Sequence, residues 1–298
     1  MPETKTWNSR APAGRIAYVN GRYLPHGQAG VHVEDRGLQL GDSIYEVTNV
    51  LDGVPIDEAA HLDRMERSLD ELGIVMPMGR AALKLVMREM IARNKIRNGL
   101  LYLQVTRGAA RRDHVPPKDA PRPTLIMTMR TQDLAALAGR MDKGIAVVTM
   151  PDQRWGRCDI KTVQLLPNLM AKQAAKAKGG FEAWLVDGDG FVTEGASTNA
   201  WIVDGQGEVM TRDLSNAILP GVTRRIILEA AGEAGLKVVQ RKFTVAEALG
   251  AREAFISSAT GAAVPVVRID GQAVGDGTPG PLSRHIHKLY ARKAGIKS

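Results

Sequence analysis

Two dipeptides restrict this chain more than any other feature: Asn20-Gly21 in RIAYVNGRYL and Asp52-Gly53 in IYEVTNVLDGVPI. Each tolerates positive φ and lies between strand-like stretches, and each therefore predicts a tight antiparallel hairpin. The period then changes. Glu58 to Leu72 (EAAHLDRMERSLDEL) and Arg80 to Arg93 (RAALKLVMREMIAR) repeat apolar residues at i, i+3 and i+4, which predicts two helices. The runs LLYLQVT (100–106) and TLIMTM (124–129) return to strand. RTQDLAALAGRMDKG (130–144) is short, partly polar and closed by Gly144. It reads as a linker over 134–143 between an N-terminal α/β domain (1–133) and a C-terminal domain (144–298).

The second half carries a helix-like NLMAKQAAKAKGG, the strands EAWLV, FVTEG, NAWIVD and EVMT, a helix from Val222 to Ala234, the strands EAFISS and AVPVVRIDG, and a terminal helix around Leu282 to Lys293. Strands and helices are interspersed without the regular alternation of a doubly wound sheet, so an α+β fold of two domains is expected. With 298 residues, 44% of them hydrophobic, the chain can bury two cores.

Charge and composition narrow the function classes. The 40 basic residues behind the net charge of +8 are spread among 32 acidic ones, and an aromatic content of 4% disfavours a base-stacking platform, so no nucleic-acid partner is expected. There is no run of about 18 apolar residues. MPETKTWNSR lacks the apolar core of a signal peptide, and the single cysteine, Cys158, excludes an intrachain disulfide. A cytoplasmic protein is expected. DGDGF (187–191) lacks the later ligands of a calcium loop, and His285 and His287 point to different faces of a predicted helix, so no metal is expected.

Several residues carry possible chemistry. Lys161, in RCDIKTVQLLPN, sits where a strand-like run gives way to helix formers. A lysine is ordinarily a solvated charge, but burial beside Ile160, Val163, Leu165 and Leu166 would lower its pKa and free the amine for Schiff-base chemistry. Glu194, in TEGASTNAWIV, precedes Gly195 and three small residues, where a backbone can lie against a flat group; an ordinary turn with a surface glutamate fits the same letters. Pro220 and Gly221 break the chain before a helix opened by Val222 and Thr223, whose N–H groups suit an anion, with Thr223 as a further donor or as a plain N-cap. The turn SSATGAAVP (257–265) offers Thr260 as a phosphate contact.

Arg64 borders the apolar stripe of Leu62, Met65, Leu69 and Leu72, from which it can reach inward to a dianion or pair with Asp63 or Glu71. Arg112 and His114, in VTRGAARRDH, can converge on one carboxylate or belong to a solvated basic loop. A Schiff-base lysine, a carboxylate for a pyridine nitrogen and a phosphate cup with an arginine are together what pyridoxal 5′-phosphate requires.

EDRGLQLGDSIYEV, HLDRMERS, DIKT, TEGASTN, LPGVTR and SSATGAAVPV, in this order over nearly the whole chain, resemble the fold-type IV aminotransferases. The resemblance implies a two-domain α+β fold whose active site lies between the domains and at a dimer interface. It implies that Lys161 anchors pyridoxal 5′-phosphate and later shuttles the proton, and that Glu194 binds the pyridine nitrogen. Arg64, the amides of Val222 and Thr223, and Thr260 would hold the phosphate; Leu219 and the turn Ser197, Thr198, Asn199 would support the ring. Ala259 stands where the family often has a hydroxyl. Arg112 and His114, reaching in from a neighbouring subunit, and Tyr45 of IYEV resemble the carboxylate trap of the D-amino acid aminotransferase branch, with Val47 lining the side-chain pocket. The implied reaction is ping-pong transfer of the amino group of a D-amino acid such as D-alanine to 2-oxoglutarate, in at least a homodimer. Branched-chain L-amino acid aminotransferases, aminodeoxychorismate lyases and (R)-amine transaminases share the fold and remain alternatives. Cys158, three residues before Lys161, reads as an inert buried thiol.

Overall fold

The two hairpin dipeptides turn through the left-handed region that their residue types allow, with φ of 46° and 89° at Asn20 and Gly21 and of 50° and 79° at Asp52 and Gly53. The first joins β1 (Ile16–Val19) to β2 (Arg22–Pro25), and the second joins β3 (Ser43–Leu51) to β4 (Val54–Pro55). The structure, a computed structural model, describes residues 14–119 and 121–296; the opening stretch MPETKTWNSR lies outside the described residues.

Two compact units emerge. One comprises Met65–Gln132 with the chain up to Pro55; the other comprises Ile56–Arg64 with the chain from Asp133 onward. In the first unit, β5 (Gly99–Thr106) and β6 (Thr124–Thr131) complete an antiparallel sheet of order β2-β1-β6-β5-β3-β4. Alternation decides the faces of β3. Ile44, Glu46, Thr48 and Val50 are buried, whereas Tyr45 and Val47 are half-buried on the opposite face, where Tyr45 stacks on Tyr102 at 5.7 Å between centroids. The short helix α1 (Arg36–Leu40) precedes β3, α2 (Glu58–Leu72) follows β4, and α3 (Arg80–Asn94) buries Leu83, Met87, Met90 and Ile91 along one stripe.

The second unit opens on a correction. Residues 134–143, expected as a linker, form a helix, α4 (Leu134–Lys143), whose N-cap Asp133 accepts from Ala136 N at 2.8 Å. Its polar composition hid a narrow stripe: Leu137 and Met141, one turn apart, pack on this unit's core. Ile56–Arg64 joins the same unit, where the Tyr290 hydroxyl donates to Asp57 at 2.9 Å.

The sheet of this unit is built from β7 (Ile145–Pro151), β8 (Glu182–Val186), β9 (Val192–Gly195), β10 (Asn199–Val203), β11 (Val209–Thr211), β12 (Val238–Gln240), β13 (Glu253–Ser258), β14 (Ala262–Ile269) and β15 (Gln272–Ala273). Its order is β12-β11-β10-β13-β14-β7-β8-β9, with β15 paired to β14. The intervening helices are α5 (Leu166–Ala177), α6 (Val222–Glu233), α7 (Val245–Leu249) and α8 (Pro281–Lys293). Ala200 and Ile202 of β10 belong to one core cluster with Trp184 and Phe243; Trp201 and Val203 belong to another with Ile227 of α6 and Ile286 and Tyr290 of α8. A strand covered on both faces is buried along its length, which is why Ala200 to Val203 show no alternation of apolar and polar residues. No described helix is long and apolar enough to cross a membrane.

Candidate active site

Lys161 lies on the irregular connection between β7 and α5. Short backbone turns fix it there: Ile160 N donates to Arg157 O at 3.2 Å and Thr162 N to Ile160 O at 2.8 Å. Ile160 and Thr162 are buried and Lys161 is half-buried. One of the expected apolar neighbours is not there. Leu166 opens α5 with 67% of its surface exposed, because the buried face of that helix is set by Ala171 and Ala175, on the side away from Leu166.

Glu194, on β9, is a buried carboxylate and not a surface one. Asn199 Nδ2 donates to its Oε2 at 2.9 Å, Leu219 N donates to both oxygens at 3.1 and 3.2 Å, and Arg154 Nη1 pairs with Oε1. Arg154 is held in turn by Asp152, with Nε to Oδ1 at 2.9 Å and Nη2 to Oδ2 at 2.8 Å, and by Ala217 O at 3.0 Å. Burial pushes the Glu194 carboxyl above its ordinary range, while Arg154, the Leu219 amide and the nearby Lys161 pull it back. Burial likewise opposes the charge on Arg154, but Asp152 and Glu194 more than restore it. Every group facing Glu194 here donates or is positive, so the carboxylate is the form this site satisfies. Arg154 escaped the sequence reading, since nothing in DQRWGRCDIK signals a partner forty residues away.

The turn entering α6 forms a second, adjoining feature. Gly221 is the N-cap and no side chain caps the helix; Thr223 lies inside the first turn and does not take that place. The Thr223 hydroxyl is buried next to Tyr290 and closes no hydrogen bond of normal geometry. Arg64 Nη1 donates to Pro220 O at 3.2 Å, which brings its guanidinium to the same turn. A Cβ on Gly221 would fall 2.1 Å from Asn199 Oδ1, so the turn is tight against the Glu194 cluster. The hydroxyls of Ser258 and Thr260 lie 3.1 Å apart. Arg64, an uncapped helix N-terminus and an unsatisfied buried hydroxyl are what a phosphate monoester would occupy.

The family model for class IV amino-transferases matches residues 43–269. This chain belongs to the class IV aminotransferases. A D-alanine aminotransferase of Bacillus licheniformis is 39% identical over 267 residues, covering 90% of this chain and 93% of that protein. The D-alanine aminotransferase of Listeria innocua is 36% identical over 276 residues, covering 92% and 94%. Among solved structures, the branched-chain amino acid aminotransferase of Escherichia coli shares the fold with a TM-score of 0.86 at 22% identity, covering 96% of each chain. A hypothetical aminotransferase from Mycobacterium tuberculosis, solved in its PLP-bound form, gives 0.81 at 21%, covering 94% of this chain and 98% of that one.

Within this aminotransferase the turn expected to support a ring divides its labour. Ser197 Oγ donates to Glu182 at 2.6 Å, and so is committed away from any ligand. Thr198 Oγ1 is buried without a partner. Asn199 is the strut between Glu194 and Leu219, whose carbonyl it also contacts at 3.1 Å. Burial pushes the Cys158 thiol up to about 11, against the opposing pull of Arg154, so the thiol stays protonated at neutral pH; its Sγ donates to Trp155 O.

The other expected residues lie in the first unit. Tyr45 and Val47 are neighbours on one face of β3 and are paired in register with Gln104 and Tyr102 of β5. Arg112 and His114 are exposed on the connection that leaves β5, and the backbone carbonyls of Asp113 and His114 are held by Arg36, at 2.7 and 3.3 Å.

Proposed function

We propose that this aminotransferase uses pyridoxal 5′-phosphate to move the amino group of a D-amino acid such as D-alanine to 2-oxoglutarate, in a ping-pong sequence and as a homodimer. The observation that carries the cofactor is the buried Glu194 side chain, which accepts hydrogen bonds from Arg154, Asn199 and Leu219 with Lys161 close by. The hand of the substrate is supported by the D-alanine aminotransferases that align over most of the chain.

The cofactor, when bound, supplies an electron sink for the bond broken at the substrate α-carbon. The chain supplies the rest. Lys161 Nζ would hold the cofactor and, as the amine beside it, would accept the proton removed from the substrate α-carbon and carry it onward. Glu194 would hold a proton on the cofactor's ring nitrogen by accepting a charge-assisted hydrogen bond. Arg64, the amides of Val222 and Thr223, the Thr223 hydroxyl and Thr260 bind the phosphate; Leu219 and Asn199 back the ring. Arg112, His114 and Tyr45 bind the substrate carboxylate, with Arg112 and His114 contributed by the second copy, and Val47 borders the side chain.

The test is to supply the purified protein with 2-oxoglutarate and, separately, D-alanine, L-leucine or (R)-1-phenylethylamine, and to determine the hand of the glutamate formed. D-Glutamate from D-alanine is expected. L-Glutamate from L-leucine would assign the chain to the branched-chain enzymes instead.

A further inference from the structure

The motif EDRGLQLGD has no part in the chemistry above, yet three of its side chains, Asp35, Arg36 and Asp42, converge on one structural task. Asp35 caps α1 by accepting from Gly37 N at 2.9 Å and also accepts from Thr106 Oγ1 at 2.9 Å, where β5 ends. Gly37 permits that approach, since a Cβ there would stand 2.4 Å from Thr106 Cγ2. Gly41, at φ 70°, ends the helix and turns the chain so that Asp42 faces back. Asp42 accepts from Arg36 Nε at 2.8 Å and from Arg107 at 2.7 and 3.0 Å. Arg36, only 4% exposed, then directs its remaining two nitrogens to the carbonyls of Asp113 and His114. Its main-chain N–H donates to Gly108 O at 2.9 Å, so one residue grips both the root and the middle of the connection from β5.

Residues 111–119 of that connection are exposed and have no strand or helix of their own. A planar fork with two parallel donors fixes two successive carbonyls as a unit, which a point charge cannot do. The two carbonyls belong to His114 and to the residue between it and Arg112. We propose that Arg36 is the positioning residue that holds the Arg112-x-His114 pair ready for a substrate carboxylate. The proposal rests on the reading of that pair as the carboxylate trap. Without the fork, binding must itself order the connection, and affinity falls although no substrate contact is removed.

The experiment uses the cofactor-loaded enzyme with Arg36→Lys, Arg36→Gln and Arg112→Ala. In both Arg36 variants, KM for D-alanine and for 2-oxoglutarate should rise about tenfold or more, the loss expected for charged hydrogen bonds. The absorbance spectrum and the cofactor dissociation constant should stay as in the parent, and trypsin should cut after Arg111 and Arg112 faster than in the parent. Unchanged KM in the Arg36 variants alongside a raised KM in Arg112→Ala overturns the proposal alone. Unchanged KM in Arg112→Ala removes the trap and the proposal with it. Failure of both Arg36 variants to load cofactor assigns Arg36 to folding and overturns its positioning role.

Discussion

Asn199 Nδ2 stands 2.9 Å from Glu194 Oε2 and 3.1 Å from Leu219 O, so one amide ties the buried carboxylate to the backbone that donates back to it. Removing that strut leaves Glu194 with one donor fewer and a carboxyl that burial pushes further up. Asn199→Ala should lower kcat about tenfold, the equivalent of losing one hydrogen bond to a charged group. KM for D-alanine should change far less, because the amide contacts the carboxylate and not the substrate. Steady-state kinetics with both substrates read the split, and an unaltered kcat would separate Asn199 from the ring site.

Lys161 has the sharpest expectation. Lys161→Ala should lose the yellow chromophore of the loaded enzyme and at least roughly a thousandfold in turnover, since one amine serves as both anchor and proton carrier. An absorbance scan with single-turnover kinetics is sufficient. Normal activity in this variant would remove the basis of the functional reading.

Gly221 is constrained by space. In Gly221→Ala the new methyl meets Asn199 Oδ1 at 2.1 Å and Arg224 Cβ at 3.2 Å, and relief of that overlap should cost about 1–3 kcal/mol. The turn would have to move away from the Glu194 cluster. Cofactor affinity, measured by reconstituting the apoenzyme, should weaken by about tenfold or more.

Asp42 sets an acid limit on the first unit. Burial would raise its carboxyl, but hydrogen bonds from Arg107 and Arg36 outweigh it and hold the pKa below the usual carboxylate range. A carboxyl that titrates lower in the folded than in the unfolded chain contributes its full stability above the unfolded value, about 3.9, and loses it as pH falls through the folded one. Urea titrations should therefore show no Asp42-dependent change between pH 5 and 8 and a decline below about pH 4. Asp42→Asn should flatten that decline and cost roughly 3 kcal/mol at neutral pH, because two arginines are left without their counter-charge.

The sequence by itself determined many of the elements and the residue types. Asn20-Gly21 and Asp52-Gly53 specified hairpins because few dipeptides adopt positive φ cheaply. Glu58 to Leu72 specified a helix because its apolar side chains repeat with the helical period. Lys161, Glu194 and Arg64 stood out as candidates by residue type, and the ordered motifs around them carried their assignment. The helix α4 was hidden because a narrow apolar stripe in a polar segment gives a weak periodic signal. Partners were hidden for a different reason. Arg154 meets Glu194 forty positions along the chain, and Arg36 meets the carbonyls of Asp113 and His114 at separations of 77 and 78. Periodicity reports which face a side chain takes and says nothing of what lies across from it. Only the tertiary structure closes those loops, and the hydrogen bonds formed there decide which carboxyl is buried among donors and which arginine is a clamp.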